Sequence, residues 1–216
     1  MAKQITFDTI IQGGTIVDGS GNARFKCDVG IKNNRIQAVS DLSQAQSGHK
    51  INAADRIVAP GFIDVHTHDD RVILANPTMD MKISQGVTSV VVGNCGISLA
   101  PLVADNPPPP LDLIAEAGAC RYSTFEEFLL EVEGAPPAVN AAFLVGHSTL
   151  RVATMDSLDR AASTSEIKKM RSLLEEGLMA GAIGFSTGLF YKPAIMAPTE
   201  EVVAIAAALH AHKARY

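Results

Sequence analysis

Cysteine is scarce in this sequence of 216 residues, and its three copies, Cys27, Cys95 and Cys120, lie far apart. An odd number of widely spaced cysteines argues against a disulfide framework, so we expect a protein of the reducing cytoplasm. No run of about 18 apolar residues occurs, and the opening MAKQITFDTI lacks the pattern of a secretory leader. The sequence therefore predicts neither a membrane span nor export.

Charge of one sign is not concentrated anywhere along the chain. The formal net charge is -5, and no basic stripe suited to nucleic acid or to an anionic membrane is present. With 47% hydrophobic and 19% charged residues, the chain has the composition of a globular protein that buries a sizeable core. We expect one or two domains, no nucleic-acid partner and no membrane partner.

Residues 1–58 have the pattern of a small all-β segment. Short apolar runs alternate with turn residues, and paired turn residues occur at Gly13 and Gly14 and again at Asn33 and Asn34. Glycine and asparagine tolerate the positive φ that tight hairpins require, so we predict turns between strands at both pairs.

From Pro60 onward, strand-like runs alternate with helix-like ones. The predicted strands are GFIDVHTH, VTSVVVGNCG, VNAAFLVGHS and AIGFSTGLFY. The predicted helices are PTMDMKISQG, TFEEFLLEVE, STSEIKKMRSLLEEGLMAG and PTEEVVAIAAALHAHKARY. Four strand–helix units in succession favour a parallel β/α architecture.

Side chains able to bind a metal or a substrate lie at the C-terminal ends of these strands: His66 and His68, Cys95, His147 and Tyr191. In β/α folds, functional sites assemble at this edge of the sheet. Two histidines at positions i and i+2 of a strand share a face and can bind one cation, and a thiolate is a suitable zinc ligand. We therefore predict a metal site at His66, His68 and Cys95. The alternative is a pair of surface histidines and a buried structural cysteine, the interpretation we adopt for Cys27 and Cys120.

Two other patterns are not expected to have a catalytic role. GFSTG, Gly184–Gly188, matches the G-x-S-x-G nucleophile motif, but Pro193 and Pro198 follow where that motif requires a helix. His210 and His212 lie about 200° apart around the axis of the last predicted helix, so we expect solvated side chains.

Five motifs together resemble the N-acyl-D-amino-acid deacylases, or D-aminoacylases, of the metal-dependent amidohydrolase superfamily: GGTIVDGSG, VAPGFIDVHTHDD, GVTSVVVGNCGISLAPL, LVGHSTLR and GAIGFSTGLFYKP. PGFIDVHTH alone indicates only the superfamily. HTHDD together with GNCG is more specific, because many relatives use a carboxylated lysine where these deacylases use a cysteine. The resemblance covers essentially the whole chain.

The resemblance implies a fold in which a (β/α)8 barrel is accompanied by a small β-sandwich. Residues 1–58 would belong to the sandwich, and residues 59–216 would form the first half of the barrel, with about four β/α units. A closed barrel takes ~250 residues, and the family's two further ligand histidines and its catalytic aspartate belong to strands that would follow Tyr216. We therefore expect an N-terminal half without a catalytic residue of its own, inactive alone, whose unpaired sheet edge favours self-association.

The resemblance also implies a chemistry, the hydrolysis of N-acyl-D-amino acids with a zinc ion that polarises the amide carbonyl and lowers the pKa of a water. His66, His68 and Cys95 would be the zinc ligands on this chain, and Tyr191 would help to bind the carboxylate of the substrate. The alternatives are a hydantoinase-like cyclic amidase, against which Cys95 and the HTHDD motif argue, and a non-catalytic scaffold of the same fold.

Overall fold

Two units make up the chain in a computed structural model, Met1–Gly61 and Phe62–Tyr216. The structure describes residues 6–115 and 118–216. The longest described helix has 17 residues, and none in the described part has both the length and the apolarity needed to cross a bilayer.

All the strands described in the first unit belong to one sheet: β1 (Thr6–Ile16), β2 (Phe25–Lys32), β3 (Arg35–Ser40), β4 (Gln46–Asn52) and β5 (Ile57–Val58). The order is β3-β2-β1-β4, and β5 pairs with the end of β1. The β1–β2 and β2–β3 pairs are antiparallel, whereas β4 and β5 run parallel to β1.

The two predicted turns of this unit have different outcomes. The hairpin at Asn33 and Asn34 is confirmed, with φ angles of 51° and 58° between β2 and β3. The turn predicted at Gly13 and Gly14 is wrong, because β1 continues through this pair and its register against β2 shifts there as in a β-bulge. The N–H of Gly13 donates to Asp28 Oδ1 at 2.7 Å, so a side chain of the neighbouring strand satisfies the bulged backbone.

A four-stranded parallel sheet forms the centre of the second unit. Its strands are β6 (Phe62–Asp64), β7 (Val87–Val92), β10 (Asn140–Gly146) and β11 (Gly184–Ser186), in the order β11-β10-β7-β6. Between β7 and β10 the chain adds the antiparallel pair β8 (Leu102–Ala104) and β9 (Cys120–Tyr122). The predicted succession of four parallel strands is confirmed.

Seven α-helices are described in the second unit: α1 (Val72–Ala75), α2 (Asp80–Ile83), α3 (Phe125–Gly134), α4 (His147–Thr154), α5 (Thr164–Ala180), α6 (Thr199–Ala206) and α7 (Ala208–His212). A short 3₁₀ helix spans Leu111–Leu113. Thr124 and Ser163 form capping boxes at the first turns of α3 and α5. The helix predicted over PTMDMKISQG is reduced to the short α2, and the last predicted helix divides into α6 and α7. Helices α1 and α4 were not predicted.

The helices cover one face of the parallel sheet. Strand residues of this face, including Val90, Val145 and Phe185, are buried against helix residues such as Met170 and Ile205. Residues that point to the opposite face are only partly buried: Val91, Ala142 and Leu144. Because successive strand residues alternate between faces, this second face remains accessible.

Candidate metal centre

His66 and His68 lie in the loop 65–71, directly after β6. The strand ends at Asp64, so a shared strand face does not bring the two imidazoles together, contrary to the prediction. The loop bends instead, with the N–H of His66 donating to Asp64 Oδ1 at 3.3 Å. The two imidazole rings meet edge to face, with centroids 5.9 Å apart.

Cys95 lies in the turn GNCG that follows β7. Its φ of 54° belongs to the left-handed region, which is uncommon for a residue other than glycine. The turn is closely packed, because a Cβ at Gly188 would collide with the carbonyl of Cys95. Asn94 links this turn to the histidine loop, since its Nδ2 donates to the carbonyl of Thr67 at 3.2 Å and to that of Val91 at 2.7 Å.

The donor atoms of His66, His68 and Cys95 all lie within 4.8 Å of one another, and His66 Nε2 is 3.1 Å from Cys95 Sγ. Imidazole nitrogen and thiolate sulfur are common zinc ligands, at about 2.0–2.3 Å from the ion, and ligands of a tetrahedral zinc are therefore roughly 3.3–3.8 Å apart. The donor types suit a zinc ion, and the 3.1 Å between His66 Nε2 and Cys95 Sγ is slightly shorter than the spacing of two tetrahedral ligands. Among the described residues, these three form the group of histidine, cysteine and carboxylate side chains that could hold a metal.

Lys82 of α2 lies against the histidine loop. Its Nζ donates to Asp64 Oδ2 at 2.7 Å and to Thr67 Oγ1 at 3.0 Å, and it forms an ion pair with Asp69 Oδ2 at 2.8 Å. Burial disfavours the charged ammonium, but the contacts with Asp64 and Asp69 outweigh this effect and raise the pKa of Lys82. The lysine is therefore a cation throughout the physiological pH range.

Asp70, the second aspartate of HTHDD, is buried, with 2% of its surface exposed. Burial raises its pKa to about 7, although hydrogen bonds from the backbone N–H groups of Asp70 and Gly93 oppose this effect. The bond from Gly93 is a second link between the histidine loop and the GNCG turn.

A cleft of about 500 Å³ opens beside His66 and Cys95, and Val91 and Leu144 of the accessible sheet face contribute to its lining. Its volume is in the range of small-molecule sites, roughly 300–1,000 Å³. It is lined by Val65, His66, Val91, Asn94, Cys95, Leu144, Ile183, Phe185, Ser186, Thr187, Arg215 and Tyr216.

Comparison with known families shows where the chain belongs. Residues 50–215 match the profile of a family described as the amidohydrolase family. The chain belongs to the amidohydrolase family.

Two curated amidohydrolase relatives come from Alcaligenes xylosoxydans xylosoxydans. A D-aminoacylase is 51% identical over 210 residues, which make up 97% of this chain and 43% of the relative. An N-acyl-D-aspartate deacylase is 50% identical over 196 residues, which make up 91% of this chain and 39% of the relative. The chain thus spans less than half the length of these relatives.

Solved structures show the same similarity. A structure of D-aminoacylase, studied for the role of its binuclear metal centre, superposes with a TM-score of 0.95 at 51% identity and covers 96% of this chain and 44% of that chain. The N-acyl-D-glutamate deacylase of Bordetella bronchiseptica, in complex with zinc and a phosphonate inhibitor, has a TM-score of 0.91 at 37% identity. That match covers 97% of this chain and 44% of that one.

The fourth predicted site residue, Tyr191, lies in the loop after β11. Its N–H donates to the carbonyl of Gly188 at 3.1 Å, and its ring packs beside the Cα of Gly188. Since Gly188 also abuts the carbonyl of Cys95, the tyrosine ring lies close to the GNCG turn of this amidohydrolase chain. Tyr191 as a whole is 36% exposed.

Ser186, His147, His210 and His212 lie outside the candidate metal centre. Ser186 Oγ donates to the carbonyl of Gly93 and accepts from the N–H of Gly96, so this hydroxyl connects β11 to the GNCG turn. No helix follows it until α6, in agreement with the prediction that GFSTG is not a nucleophile motif. His147 is fully buried, with its Nε2 3.0 Å from Glu201 Oε1, whereas His210 and His212 are exposed on α7.

Sequence reasoning missed the side chains that contact the histidine loop of the candidate metal centre. Asn94 could have been found, because it lies inside the GNCG motif. Lys82 gave no signal, since it lies in a predicted helix and its acceptors are 13 to 18 positions away in sequence.

Proposed function

We propose that this chain forms the metal-binding part of a zinc-dependent amidohydrolase that hydrolyses N-acyl-D-amino acids to a carboxylate and a D-amino acid. The supporting observation is the convergence of the donor atoms of His66, His68 and Cys95 within 4.8 Å of one another. The substrate class follows from relatives described as D-aminoacylase and as deacylases of N-acyl-D-aspartate and N-acyl-D-glutamate. Zinc follows from the donor types and from the zinc complex of the Bordetella deacylase.

The proposal includes an architecture. Residues 1–58 would contribute to a β-sandwich, for which the first unit supplies one sheet, and residues 59–216 would form the first four units of a (β/α)8 barrel. A further backbone contact supports the barrel, because Arg215 forms a parallel bridge with Gly184 of β11, where a fifth strand would pair.

The three ligands would hold zinc through the imidazole nitrogens of His66 and His68 and the thiolate of Cys95. When bound, zinc supplies Lewis acidity toward an amide carbonyl and makes hydroxide available near neutral pH. The other two cysteines are poor candidates for this role. Cys27 lies in β2 of the first unit, and burial raises the pKa of the Cys120 thiol to about 11.

Substrate binding is assigned to the cleft and to Tyr191. The apolar side chains of Val65, Val91 and Leu144 line the cleft beside His66 and would exclude water from the acyl group. The hydroxyl of Tyr191 would donate a hydrogen bond to the substrate carboxylate, a role supported by the packing of its ring beside Gly188.

Proton transfer to the leaving amine is assigned to an aspartate on a later strand of a protein of the relatives' length, as the family resemblance implies. The 216-residue chain alone is therefore expected to bind metal but not to hydrolyse substrate.

Titration of the chain with cobalt(II), a spectroscopic substitute for zinc, tests the metal centre. We expect a thiolate-to-cobalt charge-transfer band in the unmodified chain and in the control Cys27→Ser, and no such band in Cys95→Ala. Absence of the band in the unmodified chain, or a band that Cys95→Ala leaves unchanged, would refute this ligand set.

The substrate class needs a separate assay. A chain of the relatives' length is expected to release amino acid from N-acetyl-D-amino acids faster than from their L-enantiomers. Cobalt binding without hydrolysis of either enantiomer would reject the substrate assignment and leave the metal centre intact.

A further inference from the structure

We propose that Lys82 is a positioning residue that fixes the conformation of the histidine loop 65–71 for metal binding. The inference rests on the proposed function, because it takes His66 and His68 as metal ligands.

The contacts of Lys82 alternate in sequence with the two histidines. Its Nζ contacts Asp64 before His66, Thr67 between the histidines, and Asp69 after His68. The backbone on both sides of each histidine is therefore connected to one ammonium group. Asp64 adds to this effect, because its other carboxylate oxygen accepts the N–H of His66.

The chemistry of the ammonium group suits this role. A lysine ammonium has only N–H donors and a positive charge, and Nζ donates hydrogen bonds to Asp64 and Thr67 and forms an ion pair with Asp69, at 2.7 to 3.0 Å. The side chain is only 15% exposed, so water competes weakly for these contacts. Helix α2 has four residues and buries none of them, and its start is anchored by the fully buried Met79 directly before it.

Positioning and simple charge predict opposite effects on metal affinity. Removal of the Lys82 charge leaves the Asp64 and Asp69 carboxylates uncompensated near the site, and this added negative charge would attract a cation more strongly. If the lysine instead fixes the loop, its removal lets both histidines leave the geometry that a metal requires, and the affinity falls. The sign of the change therefore decides between the two roles.

The experiment is a cobalt(II) titration of the unmodified chain, Lys82→Met and the control Lys169→Met, at a temperature where circular dichroism shows all three to be folded. Lys169 is exposed on α5, outside the metal centre. We expect the dissociation constant of Lys82→Met to rise about tenfold, at the lower end of the effects of residues that orient ligands. The control should match the unmodified chain, and the charge-transfer band at saturation should persist in all three.

Equal or tighter binding by Lys82→Met would overturn the proposal. If this variant does not fold, Lys82→Arg replaces it, because arginine keeps the charge but its planar fork cannot reproduce three contacts from one atom. Unchanged affinity in Lys82→Arg would then overturn the proposal. Absence of metal binding by the unmodified chain would reject both the metal centre and the role of Lys82. Metal binding that is the same in the unmodified chain and in the Lys82 variants would reject only the role of Lys82.

Discussion

Replacement of Glu201 by glutamine tests a buried ion pair next to the proposed substrate loop. Glu201 Oε1 accepts hydrogen bonds from His147 Nε2 and Arg151 Nη1, and both side chains of the Glu201–Arg151 pair are completely buried. Glu201 Oε2 accepts the N–H of Ala162 at 3.1 Å. Arg151 in turn donates from Nε to the carbonyl of Pro193 at 2.6 Å, so the pair helps to hold the loop that contains Tyr191.

The magnitude of the loss follows from two independent considerations. Removal of one partner from a buried ion pair typically costs about 3–5 kcal/mol, because the remaining charge stays buried and unpaired. Burial also disfavours the ionised form of Glu201, yet hydrogen bonds from His147 and Arg151 outweigh this effect and lower its pKa from 4.5 to about 2. Since one pKa unit corresponds to about 1.4 kcal/mol, ionised Glu201 stabilises the fold by about 3 kcal/mol at neutral pH. We expect Glu201→Gln to lower the free energy of unfolding by this amount.

The pH dependence has a definite sign. Because folding lowers the pKa of Glu201, its contribution to stability is complete above the unfolded value of 4.5 and is lost as the pH falls toward about 2. The difference in free energy of unfolding between the unmodified chain and Glu201→Gln should therefore be constant from neutral pH down to about pH 5.5 and decrease below about pH 4.5.

Urea unfolding followed by circular dichroism, repeated across this pH range, measures the difference. The control is Glu200→Gln, an exposed neighbour in the first turn of α6, where loss of the charge should cost less than about 1 kcal/mol. A loss below about 1 kcal/mol for Glu201→Gln at neutral pH, or a loss that grows as the pH falls, would refute the reasoning.

Two further predictions concern the neighbourhood of the GNCG turn. Gly188→Ala should cost about 1–3 kcal/mol in urea unfolding and weaken cobalt binding, because its Cβ would collide with the carbonyl of Cys95. Gly134→Ala, with no atom near its Cβ, should do neither, and equal effects of the two changes would contradict the explanation. In a chain of the relatives' length, Tyr191→Phe should reduce kcat/KM for N-acyl-D-amino acids by roughly ten- to a hundredfold. The reduction should vanish with the corresponding amides, which lack the carboxylate, and an equal loss for both would show that the hydroxyl does not bind it.

Turns and helix starts that are specified by their own residues could be predicted from the sequence. Asn33 and Asn34 specify a hairpin turn because they tolerate positive φ. Thr124 and Ser163 specify helix starts because each is followed three residues later by a glutamate that completes a capping box. The pair Gly13 and Gly14 has the same residue pattern as a hairpin turn, two adjacent residues that tolerate positive φ between two apolar runs. It forms a bulge because a partner strand lies alongside, and no local pattern contains that information.

Helix α4 shows a second limit of structure prediction from the sequence. Its first five residues, His147–Arg151, are all buried, so the segment has no alternation between an exposed polar face and an apolar face. Three of the polar side chains among them have partners far away in the chain, Glu201 for His147 and Arg151 and Ser98 for Thr149. Burial in this helix does not follow the polarity of its residues, and its sequence is easily taken for the end of the preceding strand.

The candidate metal centre contains some features that the sequence predicts and others that depend on distant contacts. His66, His68 and Cys95 could be found from residue type and position, because loops at the C-terminal ends of neighbouring parallel strands necessarily meet. The reason given for the two histidines, a shared strand face, was nevertheless wrong, since β6 ends at Asp64. Their donor atoms are brought together by a loop whose conformation depends on contacts from α2 and from the GNCG turn. Such contacts join positions that no sequence spacing relates. The donor types of the candidate site could therefore be predicted from the sequence, whereas the contacts of Lys82 and Asn94 with the histidine loop required the structure.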